Sequence, residues 1–335
     1  MSLMSDEIAQ IPSAAAQLIT NGMEDIRALA DDVKGRTFTY AIMCGRGSSG
    51  HVGVYLRYLI ETLMGLSVSA SAPSIVTGYQ AAPKMRGALF IVISQSGRSP
   101  DLVAATHAAR ENGAFTIALV NDPESPAAKA AHRVLPIFAG EEKAVAATKT
   151  VVNSMLAGAL LIAHVTGDEV LRGALSRMPQ RLASARALDW QAWGASLQNA
   201  SASFVTGRGH GFGIAREVAL KLAETLTIPS LAYSSAELRH GPRAAVTRST
   251  PVLVLRQNDA VSQSIDDLAS DLKKAQLPVY MCGGAGDLPW LGDDHPACDP
   301  VAMLVPAYNA IEREAQRRGL DPDNPVGLKK VTETL

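Results

Sequence analysis

Cysteine is scarce in this 335-residue chain: Cys44, Cys282 and Cys298 form no CxxC pair and no repeated spacing. That pattern excludes a disulfide framework or a cysteine-built zinc site as its organising feature, and no metal is expected. An excess of one charge is also missing. The 31 Lys and Arg residues against 32 Asp and Glu leave a formal net charge of −1, so a strongly basic face for nucleic acid is not expected. Long apolar runs are absent. The longest stretch, near Met155 to Val165, contains His164 and reads as too short to span a bilayer. The start, Met1-Ser2-Leu3-Met4 followed by Asp6 and Glu7, has no basic region ahead of an apolar one, so no secretory leader is read there. The expectation is a cytoplasmic protein that engages neither membrane nor nucleic acid.

Hydrophobic residues at 47% with 19% charged residues are the composition of a globular chain, and its length suffices for two domains with separate cores. Aromatics are only 5%, while Ala and Gly are plentiful, which suits helices packed closely on a sheet. An internal repeat sets the architecture. Ala41-Ile42-Met43-Cys44-Gly45-Arg46-Gly47 and Ser203-Phe204-Val205-Thr206-Gly207-Arg208-Gly209 are both short apolar runs ending in Gly-Arg-Gly. Each is followed by a helical pattern, one through Glu61-Thr62-Leu63 and the other through Glu224-Thr225-Leu226, and this implies two related domains. Apolar runs at 88–93, 115–120 and 133–138, separated by helical segments, predict a parallel α/β sheet. They lack polar alternation, as strands do when both faces are covered. The reading is a helix over residues 1–30, a first domain over 31–170, a helical linker over 171–196, a second domain over 197–320 and a tail over 321–335.

Gly45-Arg46-Gly47-Ser48-Ser49-Gly50 matches GxGxxG between a strand and a helix, the dinucleotide fingerprint. Such a site also wants an acidic residue at the end of the second strand. Leu66-Ser67-Val68-Ser69-Ala70-Ser71 has none, which argues against a nicotinamide cofactor; a turn kept only for packing stays open. Ser94-Gln95-Ser96-Gly97-Arg98-Ser99-Pro100-Asp101 shifts the balance. It places three hydroxyls, an amide and free backbone N–H groups at a helix start. That suits a phosphate dianion better than an ordinary serine cap, which needs one hydroxyl.

With these residues the chain resembles the SIS-domain family of phosphosugar isomerases. Ser94-Gln95-Ser96-Gly97 looks like its phosphate loop, and 140–150, with Val145 and Ala147, like its second substrate-side loop. Ala219-Leu220-Lys221-Leu222-Ala223-Glu224, Ser235-Ala236-Glu237-Leu238-Arg239-His240-Gly241-Pro242 and Pro325-Val326-Gly327-Leu328-Lys329-Lys330-Val331-Thr332 resemble the isomerase domain of glutamine–fructose-6-phosphate aminotransferase. The stand-alone SIS-type glucosamine-6-phosphate deaminases are the nearer likeness. The resemblance implies two tandem SIS domains, each a doubly wound, flavodoxin-like parallel sheet flanked by helices, acting without a cofactor on a phosphorylated amino sugar.

It also implies the site. Ser94, Gln95, Ser96 and Ser99 hold phosphate, with Gly45, Arg46, Gly47, Ser48, Val145 and Ala147 at the substrate. Glu224 carries a proton between C1 and C2, His240 opens the ring, and Lys330 meets the open-chain carbonyl. Lys221 either stabilises the developing charge, orients Glu224, or forms a plain i,i+3 ion pair. Glu237 is a candidate to orient His240, and the implied homodimer brings His240 to the neighbouring subunit's active site. Gly47 and Ala147 stand where the aminotransferase has serines and Arg46 where it has threonine, leaving Arg46 or Ser48 to compensate. Because the chain begins close to the isomerase part, glutamine-dependent activity is not expected. A fructosamine-6-phosphate deglycase, another phosphosugar isomerase and a non-catalytic sugar-phosphate regulator stay open as alternatives.

Overall fold

Short apolar runs punctuated by glycine turns become strands, and the amphipathic stretches between them become helices. In this computed structural model, which describes residues 2–330, the chain divides into two units. The first comprises residues 13–142 and 149–176 with Lys329 and Lys330. The second comprises residues up to 12, 143–148 and 177–328. Val331 and Thr332, the end of the tail motif, lie outside the described residues.

The leading helix is two helices, α1 (Leu3–Ala9) and α2 (Ile11–Lys34). Pro12, with no N–H to donate, is tolerated only in the first turn of a helix, so α2 starts afresh there. It buries Ala14, Ala15, Leu18, Ile26, Leu29, Ala30 and Val33, spaced to fall along one face.

In the first unit, β1 (Tyr40–Cys44), β2 (Val68–Ala70), β3 (Ala88–Ser94), β4 (Phe115–Val120) and β5 (Arg133–Pro136) form a parallel sheet in the order β2-β1-β3-β4-β5. This is the flavodoxin-like doubly wound order. Every residue of β3 and β4 is buried, which explains their unbroken apolar sequence. The connections are α3 (Gly47–Leu59), a π-helical turn over Ile60–Met64, α4 (Ser74–Thr77), α5 (Pro100–Glu111) and α6 (Pro126–Ala130). Ile42, Phe90, Val92, Leu102 and Ala118 form part of one core cluster.

Next come α7 (Lys149–Thr166) and α8 (Glu169–Ala185). The apolar run near Met155 lies within the 18-residue α7, so the sequence reading that it is too short to span a bilayer does not hold. By length and composition α7 is sufficient to cross a membrane, but 89% of it is buried inside the protein. Its polar residues are matched there: Asn153 donates to the carbonyls of Ala14 and Ile137, and the Thr150 hydroxyl donates to Glu142.

The second unit contains α9 (Gln191–Ser196), β6 (Ser203–Gly207), α10 (Gly211–Leu226), β7 (Ser230–Ser234), α11 (Ser235–Arg239), β8 (Val252–Leu255), α12 (Ser262–Lys274), β9 (Val279–Cys282) and α13 (Asp299–Arg317). Its parallel sheet runs β7-β6-β8-β9, the same order as the first four strands of the other sheet. Phe204, Val252, Val254, Ile265, Leu268 and Met281 belong to its core. The repeat seen in sequence is thus a repeat of topology.

Candidate active site

In the first sheet the chain winds outward in both directions from the neighbouring strands β1 and β3. Ligands of open α/β sheets bind at the carboxyl ends of strands at such a switch point. Gly45-Arg46-Gly47 follows β1 and Ser94 to Ser99 follow β3, so this crevice receives both motifs. A Cβ on Gly45 would lie 2.9 Å from the Ser49 carbonyl carbon, so only glycine lets the turn fold back on α3. Gly97 has φ of +63°, and a Cβ there would lie 2.1 Å from Ser125 Oγ.

The loop after β3 is organised by its own hydroxyls. Ser94 Oγ accepts from Gly97 N at 3.1 Å, and Ser96 Oγ accepts from Arg98 N at 3.2 Å. Ser99 occupies the N-cap position of α5 without making a side-chain cap bond. Its hydroxyl is therefore not engaged in the usual role of a cap serine, and the α5 dipole faces the loop. Gln95 and Ser96 are half-buried beside it. Arg46 Nε is 2.6 Å from Oδ2 of Asp101, a buried carboxylate in the first turn of α5. Arg46 is thereby tied to the same helix start, whereas Gly47 and Ser48 open α3.

The second unit holds the charged set. Lys221, midway along α10, is fully buried. Its ammonium lies 2.5 Å from Glu224 Oε2 and 3.4 Å from Glu217 Oε1. Glu217 is buried and accepts from the Tyr308 hydroxyl of α13 at 3.3 Å, whereas the Glu224 side chain is 23% exposed. Burial alone lowers the Lys221 pKa, but the two carboxylates outweigh it and hold it above the ordinary lysine value. The carboxylate of Glu224 is thus fixed from one side and open on the other. Glu217 and Tyr308 were not picked out from sequence. The Glu217-Lys221-Glu224 spacing of four and three places all three on one helix face and was available as a signal; Tyr308 left none.

His240 caps the C-terminus of α11 and is exposed. Glu237 does not orient it. Its carboxylate accepts from the Ser234 N–H and hydroxyl in a capping box at the other end of α11. Glu61, the first-repeat counterpart of Glu224, serves structure, accepting from Arg57 Nε and from the Val68 N–H of β2, each at 3.0 Å.

The tail begins with a turn around Pro322. Asp321 Oδ1 accepts from the N–H groups of Asp323 and Asn324, turning the chain. Asp323 in turn accepts from Leu3 N and Met4 N, each at 2.8 Å, capping α1, and its carbonyl accepts from Val145 N at 2.9 Å. Val145 and Ala147 are half-buried in the second unit. Lys330 belongs to the first unit, where its ammonium is 3.2 Å from Glu142 Oε2.

Among the described residues no group of three or more His, Cys, Asp and Glu side chains is placed to hold a metal ion. The three cysteines are free and buried, and burial pushes the Cys44 thiol up to about 12, which leaves it inert.

The SIS-domain model matches residues 40–164 and 196–287, one segment in each half. The chain belongs to the SIS-domain family, with two such domains in tandem. A glutamine–fructose-6-phosphate aminotransferase (isomerizing) of Halobacterium salinarum is 30% identical, the match covering 98% of this chain and 58% of that relative. The chain thus spans a little over half the length of the curated relatives it matches. Among solved structures, a candidate phosphosugar isomerase from Silicibacter pomeroyi DSS-3 is 36% identical with a TM-score of 0.92, over 96% of this chain and 100% of that one. A glucosamine-6-phosphate deaminase from Thermotoga maritima has a TM-score of 0.82 over 99% and 100% of the two chains, and at 22% identity it shows the fold alone.

Proposed function

We propose that this protein is a phosphosugar isomerase that deaminates an amino sugar phosphate, turning glucosamine 6-phosphate and water into fructose 6-phosphate and ammonia. The observation that carries the reading is Glu224, a carboxylate clamped by the buried Lys221 ammonium yet still reaching solvent. A general base must be both fixed and accessible, and a bland surface ion pair is not fixed in this way.

The roles follow from chemistry. The hydroxyls of Ser94, Ser96 and Ser99, the Gln95 amide and the α5 N-terminus bind the phosphate, with Arg46 beside them. His240 opens the ring. Glu224 takes the C2 proton and returns it at C1, converting the open-chain aldose through an enolamine into a C2 imine. Water adds at C2, the carbinolamine collapses, and ammonia leaves. Lys221 steadies the charge on Glu224, and Lys330 meets the carbonyl end of the open chain. Gly45, Gly47, Ser48, Val145 and Ala147 complete the substrate contacts in this reading.

The test is ammonia release over a panel of amino sugar phosphates differing at C4 and in the position of the amine. Release from glucosamine 6-phosphate with equimolar fructose 6-phosphate supports the reading. Turnover confined to fructosamine 6-phosphates moves the activity to a deglycase, and tight binding without turnover of any member makes the protein a sensor.

The same reading takes the active form to be a homodimer in which His240 serves the partner's substrate, as its exposed position at the end of α11 suits. Mixing two inactive variants, His240→Ala and Glu224→Gln, under exchange conditions should then restore activity, because one site of each mixed dimer is intact. No recovery after verified subunit exchange places His240 in its own chain's site.

A further inference from the structure

Glu142 has no part in the reaction as described, yet it is a carboxylate whose side chain is fully buried. It sits just ahead of α7 and is fixed by that helix's first turn. Its Oε1 accepts from Thr150 N at 3.1 Å, and its Oε2 accepts from Thr150 Oγ1 at 2.6 Å. A buried carboxylate held by a helix start is stabilised by the dipole but still favours a cation. That cation comes from the far end of the sequence: Lys330 Nζ lies 3.2 Å from Oε2. Val326, Gly327, Leu328 and Lys329, immediately before it, are all exposed. Lys330 is the residue at which this stretch becomes held.

We propose that Glu142 is the positioning residue for Lys330, setting where its amino group is presented to the sugar carbonyl. A lysine ammonium is a compact charge on a flexible stem with many rotamers, so without a fixed partner it occupies no defined place. Thr150 locks both oxygens of Glu142, and Glu142 locks the lysine; the geometry of α7 is passed to the tail through two side chains. Val145 and Ala147 are the residues of this loop that sequence singled out, and Val145 N donates to the tail at Asp323; Glu142 is the residue that meets Lys330. This inference rests on the reading of Lys330 as a substrate-facing residue, and its tests are chosen so that the two can fail separately.

The first test needs no substrate. In the full-length wild type, competitive acetylation at low reagent should modify Lys329 several-fold faster than Lys330, read by mass spectrometry. Trypsin should likewise cleave after Lys329 in preference to Lys330. In Glu142→Gln the cleavage ratio should shift toward Lys330 by about tenfold, the effect of losing a hydrogen bond to a charged group, while cleavage after Arg318 stays unchanged. Equal acetylation of the two lysines in the wild type, or an unshifted cleavage ratio in a folded Glu142→Gln, overturns the proposal. The acetylation arm decides the matter if that variant does not fold.

The second test uses turnover. Glu142→Gln should lower kcat with little change in KM, and Glu142→Gln with Lys330→Ala should be no slower than Lys330→Ala alone, because Glu142 acts through the lysine. Effects that multiply in the double variant overturn the proposal. A wild type without activity on any amino sugar phosphate defeats the functional reading and leaves acetylation and proteolysis to judge the ion pair.

Discussion

Replacing Lys221 by methionine isolates the buried charge at the centre of the second unit. Methionine keeps much of the stem volume and removes only the ammonium. Glu217, fully buried, then loses its cation at 3.4 Å and retains the Tyr308 hydroxyl at 3.3 Å, while Glu224 loses its clamp at 2.5 Å. Removing one partner of a buried ion pair typically costs about 3–5 kcal/mol, because the remaining charge is stranded. Against a total stability of about 5–15 kcal/mol this is a large fraction. Urea unfolding at neutral pH, with the m-value checked for constancy, measures it. The double variant Glu217→Leu with Lys221→Met should recover most of the loss, since an apolar pair of similar volume is close to neutral in such a place. A loss below about 1 kcal/mol in the single variant refutes the reasoning, because a stranded buried carboxylate cannot be that inexpensive.

The same group makes a pH prediction whose sign follows from its raised pKa. The folded state holds the Lys221 proton more tightly than the unfolded chain does. Its contribution is therefore complete below the ordinary lysine value of 10.5 and is lost as pH rises through the folded value. Wild-type stability should fall above about pH 10.5 more steeply than that of Lys221→Met; parallel curves contradict the assignment.

Three other outcomes are expected. Glu224→Gln should lower turnover by about 10²–10⁴-fold and abolish exchange of the substrate C2 proton with deuterated water, with calorimetric affinity nearly unchanged; exchange at the wild-type rate assigns the base elsewhere. Alanine at Ser94, Ser96 and Ser99 should each raise KM, the hydrogen bonds to a charged phosphate contributing about 1.5–3 kcal/mol apiece, and an unchanged KM in the triple variant removes the phosphate from this loop. Gly97→Ala should destabilise the first unit by about 2–4 kcal/mol and raise KM, since it combines left-handed backbone strain with a clash against Ser125; a neutral effect on both would show that the turn is soft.

Periodicity and local chemistry carried much of the architecture. The apolar runs at β3 and β4, the paired Gly-Arg-Gly turns and the hydroxyl-rich start of α5 are contiguous in the chain, so their meaning is readable without knowing what lies across from them. The strand order then follows a repeated local rule, and the two sheets share it. What composition left open was burial. Lys149, Thr150 and Asn153 are polar yet buried in α7, Thr150 matched by Glu142 and Asn153 by the carbonyls of Ala14 and Ile137.

The sequence by itself determined the two-domain α/β plan, the hydroxyl-rich loop ahead of α5 and the helix face bearing Lys221 and Glu224, because each depends on residues within a few turns or on an intact repeat. Only the tertiary structure decided what those residues meet. It placed Tyr308 on Glu217, 91 positions away, and Lys330 on Glu142, 188 positions away. It assigned Glu237 to capping α11 rather than to His240, and it anchored the start of the tail on α1 through Asp323. Such pairings turn on the burial of a charge and the distance to its partner, and neither quantity is encoded in any local stretch of sequence.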